Sequence, residues 1–187
     1  IGERTMNDHY ELKICGITRS LKKVQVAPNL VIASFVMLGD TELIEKCADA
    51  LYEKMKDMEK IEMLVCPEAK GIPLTHALAV RFGVDYVVAR KSVKGYMENP
   101  ITAEVKSITT TEKQMIVIDE IDAAKLDGKN VCVIDDVVST GGSLRSVEDV
   151  LSKTGCTVIR KAAVLLEEGG YNGQDLIYLQ KLPVFPL

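Results

Sequence analysis

Apolar positions along this chain switch repeatedly between two spacings. Short apolar runs at residues 30–35, 61–66, 86–89, 131–134 and 157–166 read as buried strands. Between them the apolar residues fall at helical spacing. Leu43, Ile44, Cys47, Ala48, Leu51 and Met55 form one stripe, which predicts a helix over 40–58 with Asp40 or Thr41 as its cap. A second helix is predicted over 73–82. Leu144, Val147, Val150 and Leu151 mark a third over 144–151. Residues 101–108 and 114–118 read as an antiparallel pair joined by a polar turn at 109–113. Turns are expected at 167–170 and 172–173, where glycines cluster. Strands alternating with helices predict an α/β fold, a mainly parallel twisted sheet with helices on both faces. Ligands on such sheets bind beyond the carboxyl ends of the strands. No linker or repeat interrupts the pattern, so residues 1–187 read as a single domain.

Composition narrows the classes. With 47% apolar residues the chain can bury a substantial core. A net charge of −4 argues against a general nucleic-acid-binding surface. No apolar run approaches the roughly 18 residues needed to span a bilayer, so no membrane partner is expected. Five cysteines occur without a C-x-x-C pair, and Cys66 and Cys132 sit inside apolar runs, where a thiol packs as a small hydrophobe. With a polar, non-secretory stretch at 1–11, this points to a reducing cytoplasm. His9 and His76 are isolated, and no His/Cys/Asp spacing suggests a metal held by the protein.

The densest chemistry lies in 131–143. After the apolar run come two adjacent carboxylates, Asp135 and Asp136, then Val137 and Val138. The hydroxyl- and glycine-rich loop Ser139, Thr140, Gly141, Gly142, Ser143 follows and opens the third helix. A small loop at a helix start offers free backbone N–H groups and the positive end of the dipole to a phosphate. Paired carboxylates can accept hydrogen bonds from a sugar's vicinal hydroxyls. A plain strand–turn–helix explains neither the carboxylate pair nor the hydroxyls. No lysine follows the second glycine, which excludes a Walker A loop, and G-x-G-x-x-G is absent.

This stretch resembles the 5-phosphoribosyl-1-pyrophosphate (PRPP) binding motif of type I phosphoribosyltransferases, with every motif position filled. The resemblance implies the type I phosphoribosyltransferase fold with a small hood region, to which residues 1–29 would contribute as an N-terminal extension. It implies Asp135 and Asp136 at the ribose diol, with Ser139 to Ser143 around the 5′-phosphate. Taken alone, the segment Pro67-Glu68-Ala69-Lys70-Gly71 reads as a strand–helix connection. Beside the first motif it resembles the pyrophosphate loop of adenine phosphoribosyltransferases, with Lys70 where arginine is usual. Lysine supplies a point charge rather than a planar fork. Arg90, Lys91 and Lys94 read by themselves as a solvated basic turn. The resemblance makes them the start of a loop that closes over the reacting centre, with Arg90 and Lys91 facing pyrophosphate.

The implied reaction is transfer of phosphoribose from PRPP to a purine, releasing pyrophosphate, as in purine salvage. Asp135, Asp136 and Lys91 are the candidate catalytic groups. Mg²⁺ would be held mainly by substrate and water, and the family suggests a homodimer. Ser139, where hypoxanthine-guanine enzymes usually carry Asp, and the Glu68–Gly71 loop favour adenine. The 96–107 stretch looks closer to xanthine enzymes and purine-repressor relatives, which keeps xanthine and other bases open. Val137 would contact the base. Phe35 and Val36 could wall its other face, or simply belong to the core. The alternative class is a non-catalytic PRPP-binding regulator. Residues 1–29 are short for the nucleic-acid-binding domain it would need.

Overall fold

A computed structural model of the chain describes residues 8–105, 114–172 and 174–187. The expected turn at 109–113, the adjoining 106–108 and Gly173 lie outside the described residues. In chain order the elements begin with β1 (His9–Ile14), β2 (Ile17–Ala27), β3 (Leu30–Ala33), α1 (Thr41–Met55) and β4 (Met63–Pro67). They continue with α2 (Ile72–Phe82), β5 (Asp85–Ala89), β6 (Ile101–Val105), β7 (Gln114–Ile118) and α3 (Glu120–Leu126). The last are β8 (Asn130–Val138), α4 (Gly142–Leu151), β9 (Thr157–Glu167), β10 (Leu176–Leu182) and β11 (Val184–Pro186).

The expected parallel sheet is present, in the order β10-β9-β8-β4-β5, with every neighbouring pair parallel. Alternation along its strands divides the core. Leu64, Cys66, Cys132 and Ile134 face α1 and α2, while Met63, Val65, Val131 and Val133 face α4, β6 and β7. This is why the central runs are apolar throughout: both faces of the sheet are covered. Burial pushes the Cys66 thiol up to about 11 and the Cys132 thiol up to about 12, so both are packing groups rather than nucleophiles. Asp40 caps α1, accepting from the Leu43 N–H at 3.1 Å, and it also pairs with Arg19 of β2 at 2.6 Å.

One boundary changes the chemistry. The sequence places Asp135 and Asp136 after the strand, yet β8 runs on to Val138. The reason is β9, which pairs Asp135 with Ala163, Val137 with Leu165 and Val138 with Leu166. The carboxylates therefore sit, buried, near the carboxyl end of the central strand of the sheet.

The hood is also larger than an N-terminal extension. β1 and β2 form a hairpin that joins β3 and β11 in a second, antiparallel sheet of order β1-β2-β3-β11. The hood thus draws on both ends of the described chain, beyond residues 1–29. The hairpin reverses at Cys15 (φ 50°) and Gly16 (φ 75°), the two positive angles of a primed turn. Cys-Gly supplies that geometry without the usual Asn-Gly signal, and so the hairpin is not visible in the sequence. Leu12 and Ile14 point inward, and Glu11 and Lys13 point out. β3 stops at Ala33, so Ser34 and Phe35, expected in the strand, lie in the loop beyond it, followed by Val36. The short helix α3 and strands β10 and β11 also went unpredicted. α3 buries Leu126 alone and has no apolar stripe to detect.

Candidate active site

The carboxyl ends of β4, β5, β8 and β9 open into a cavity of about 650 Å³ roofed by the hood. Its apolar walls come from Ile32, Ala33 and Phe35 on the hood side, Met115 and Ile116 of β7, Val137 of β8 and Leu182 of β10. Its polar lining comes from Glu68, Lys70, Lys91, Asp135, Asp136, Ser139, Ser143 and Glu167. One wall is suited to a flat apolar ring and the other to a charged, hydroxylated group.

Asp135 and Asp136 are 8% and 4% exposed, and their carboxylates are bound locally. Asp135 Oδ1 accepts from the Asp136 N–H at 2.8 Å, and Asp136 Oδ1 from the Val137 N–H at 2.8 Å. Asp136 Oδ2 is buried with no hydrogen-bond partner among the described residues. An unpaired buried acceptor is costly unless a ligand's donor meets it. Burial, and then the neighbouring Asp136 charge, push the Asp135 carboxyl well above the ordinary carboxylate range. A carboxyl raised by folding stabilises the native state fully below its unfolded value, near 3.8, and loses that contribution as pH rises through the folded value. Asp135→Asn keeps the Oδ1 acceptor and cannot ionise. It should therefore melt above the wild type at neutral pH, the gap closing as pH falls below the carboxylate range. Thermal denaturation at several pH values checks this, and equal melting temperatures at neutral pH would refute it.

The loop after β8 lines a smaller cavity of about 90 Å³ formed by Ser139, Thr140, Gly141, Gly142 and Ser143 with the end of β8. Gly141 is the N-cap residue of α4 and adopts φ 80°, which glycine reaches without strain. The first N–H groups of α4 therefore lie beside the hydroxyls of Thr140 and Ser143, an arrangement that suits an oxyanion. Arg145 fixes the loop from outside, donating to the Thr140 carbonyl at 3.1 Å.

Across the cavity, Glu68 ties the loop after β4 to the corner after β5. Its carboxylate accepts from the Lys91 N–H at 2.9 Å and from Arg90 Nε at 3.2 Å. The Lys91 N–H, outweighing partial burial, and Arg90 hold this carboxyl below its usual range. Lys70 and Lys91 face the cavity, and Gly71 is buried against the Asp135 backbone.

The structure thus brings Asp135, Asp136, Val137, the Ser139–Ser143 loop, Glu68, Ala69, Lys70, Lys91 and Phe35 around two adjoining cavities that share Asp135, Val137, Ser139 and Ser143. Three candidates lie apart from them: Gly71, packed against the Asp135 backbone, Arg90 and Val36. Arg90 is turned to Glu68 and to the Tyr96 hydroxyl and is not in the lining. Val36 is 52% exposed outside the cavity, because the chain turns once Phe35 has entered the core. Ile32, Ala33, Ser34, Met115, Ile116, Glu167 and Leu182 were missed. They arrive from four separate places in the chain, and no local motif marks them.

Residues 37–181 match the phosphoribosyl transferase domain family model. A hypoxanthine/guanine phosphoribosyltransferase of Methanothermus fervidus is 34% identical over 134 residues, 72% of this chain and 66% of the relative, just under two thirds of its length. An adenine phosphoribosyltransferase of Desulforamulus reducens is 29% identical over 139 residues, 74% of this chain and 77% of the relative. Among solved structures, adenine phosphoribosyltransferase from Thermoanaerobacter pseudethanolicus superposes with a TM-score of 0.72 at 22% identity, covering 87% of this chain and 95% of that one. This likeness establishes a shared fold.

Proposed function

The chain belongs to the phosphoribosyl transferase family, and from that premise we propose that it transfers the 5-phosphoribosyl group of PRPP to a ring nitrogen of a purine, releasing pyrophosphate. The observation that carries this reading is that the buried carboxylate pair and an apolar wall line one cavity, and the Ser139–Ser143 loop lines a second that adjoins it through Asp135, Val137, Ser139 and Ser143. The loop takes the 5′-phosphate. Asp136 Oδ2, unpartnered in the protein, takes a ribose hydroxyl. The base lies between Val137 and Phe35. As the bond to pyrophosphate breaks, positive charge grows on the ribose ring and negative charge on the leaving group. Asp135 and Asp136 are placed to offset the first, and Lys70 and Lys91 the second.

Mg²⁺ is the proposed companion of PRPP. The buried, unpartnered Asp136 Oδ2 beside Asp135 supports an ion carried mainly by substrate oxygens and water, with a water or ribose hydroxyl meeting that acceptor. When bound, the ion neutralises charge on the pyrophosphate. Lys91→Ala should lower kcat about 10- to 100-fold while barely changing affinity for ribose 5-phosphate, which lacks pyrophosphate. Steady-state kinetics with product calorimetry measures both, and an intact kcat would remove Lys91 from the reaction.

Adenine is the proposed base, on the strength of the small residue Ser139 and the Glu68–Gly71 loop. The 34% identity to a relative named for hypoxanthine and guanine favours a second reading, a 6-oxopurine enzyme. Pyrophosphate release from PRPP, assayed with adenine, guanine, hypoxanthine, xanthine and orotate, separates the two. PRPP binding without release with any base would instead make the protein a PRPP-binding regulator.

A further inference from the structure

Behind the phosphate loop, on the side away from the cavity, lies a charged cluster that the proposed reaction does not use. Lys161 projects from β9, only 8% exposed. Its ammonium is 2.6 Å from Asp175 Oδ2, 2.9 Å from Glu148 Oε1 on α4 and 3.3 Å from the Tyr171 hydroxyl. The Tyr171 hydroxyl in turn donates to Asp175 Oδ1 at 2.9 Å. Burial pushes the Lys161 ammonium towards neutrality, but the hydrogen bonds it donates to Asp175, Glu148 and Tyr171 outweigh that and keep the charge. The Lys161 hydrogen bond likewise holds Asp175 below the usual carboxylate range. A lysine this deeply buried is tolerated because both carboxylates and the phenol meet it at once.

The cluster reaches the phosphate loop through Tyr171. The Tyr171 N–H donates to the Ser139 carbonyl at 2.6 Å. Its ring lies directly against Gly141, so closely that a Cβ at Gly141 would overlap Cδ2 of the ring. Gly170 is pressed on the Ser139 carbonyl in the same way, with no room for a side chain. Residues 170 and 171 therefore touch the loop at both ends of its left-handed corner. One ammonium ties together the strand beside β8, the helix that the loop opens and the 170s segment that backs the loop.

We propose that Tyr171, anchored by Lys161 and Asp175, is a positioning residue that holds the Ser139–Gly141 corner in its phosphate-binding shape. The proposal rests on reading that loop as the 5′-phosphate site. Oxyanion donors act only when several converge on one point, and displacement by about an ångström can cost on the order of 100-fold. Removing the ring lets Gly141 relax out of the left-handed region and disperses the N–H groups.

The test compares wild type, Tyr171→Ala and Tyr171→Phe by calorimetry with PRPP and ribose 5-phosphate, alongside steady-state kinetics and melting temperatures. Tyr171→Ala should weaken both ligands by about tenfold or more and raise KM for PRPP equally, with KM for the purine unchanged. Tyr171→Phe keeps the ring and the backbone N–H, and should restore most of that affinity. Asp175→Asn, at a side chain 59% exposed, is a second variant that slackens the anchor without emptying space, and it should give a smaller loss in the same direction. Wild-type affinity for ribose 5-phosphate in Tyr171→Ala would overturn the clamp and leave the site reading intact. So would an equal rise in both KM values. Failure of the wild-type protein to bind PRPP or ribose 5-phosphate would overturn the site reading and the clamp together.

Discussion

Asp136→Asn should leave a folded protein whose kcat/KM for PRPP has fallen by a factor equivalent to roughly 2–4 kcal/mol, the range for removing a preorganised electrostatic contact. The substitution is nearly isosteric. Its remaining oxygen can still accept from the Val137 N–H, as Oδ1 does at 2.8 Å, so β8 keeps its register. What changes is the second atom. Oδ2 is a buried acceptor without a protein partner, and an amide nitrogen there presents a donor to an incoming hydroxyl. The variant also removes a negative charge facing the ribose as positive charge develops on it. Steady-state kinetics on the purified variant, with circular dichroism to verify the fold, measures the loss. An unchanged kcat/KM in a folded sample would show that Asp136 does not attend the transition state.

Gly141→Val should abolish PRPP binding. Gly141 sits at φ 80°, where an L residue is strained by about 1–2 kcal/mol, and a branched side chain by more. The added Cβ would also run into the Tyr171 ring. Either the loop or the ring must move, and both line or support the cavity of Ser139 to Ser143. Calorimetry should detect no PRPP binding at concentrations that saturate the wild type, with a lowered melting temperature but a cooperative transition. Wild-type affinity in this variant would contradict the placement of phosphate in the loop.

The parallel sheet and its covering helices were legible because their stripes are long and their strands apolar throughout, as in β4 and β8. The phosphate loop was legible because its chemistry is contiguous, running from Ser139 to Ser143 directly after the carboxylate pair and two valines. The rest depended on contacts distant in sequence. Asp135 and Asp136 lie within β8 because Ala163 and Leu165 of β9 continue the ladder beside them. The β1–β2 hairpin hides behind a Cys-Gly turn. Tyr171 carries no motif that sets it apart from other tyrosines, and only its distance to Ser139 and Gly141 reveals its place. Arg90 likewise has a partner distant in sequence. The resemblance gives it a pyrophosphate to face, and the sequence does not show that Glu68 from another strand end engages it in the structure.

The pairing of Val184 with Ile32 has a kinetic meaning beyond the architecture it builds. β3 takes β11 as its second neighbour, so the roof over the cavity is completed by residues about 150 positions further along the chain. Contacts that span most of a chain form late and slowly. The parallel sheet, the carboxylate pair and the phosphate loop can assemble without them. A folding chain should therefore acquire affinity for the phosphorylated sugar before it can shelter a base. Removing residues 183–187 should reproduce that earlier stage, leaving a protein that grips ribose 5-phosphate yet holds a purine poorly.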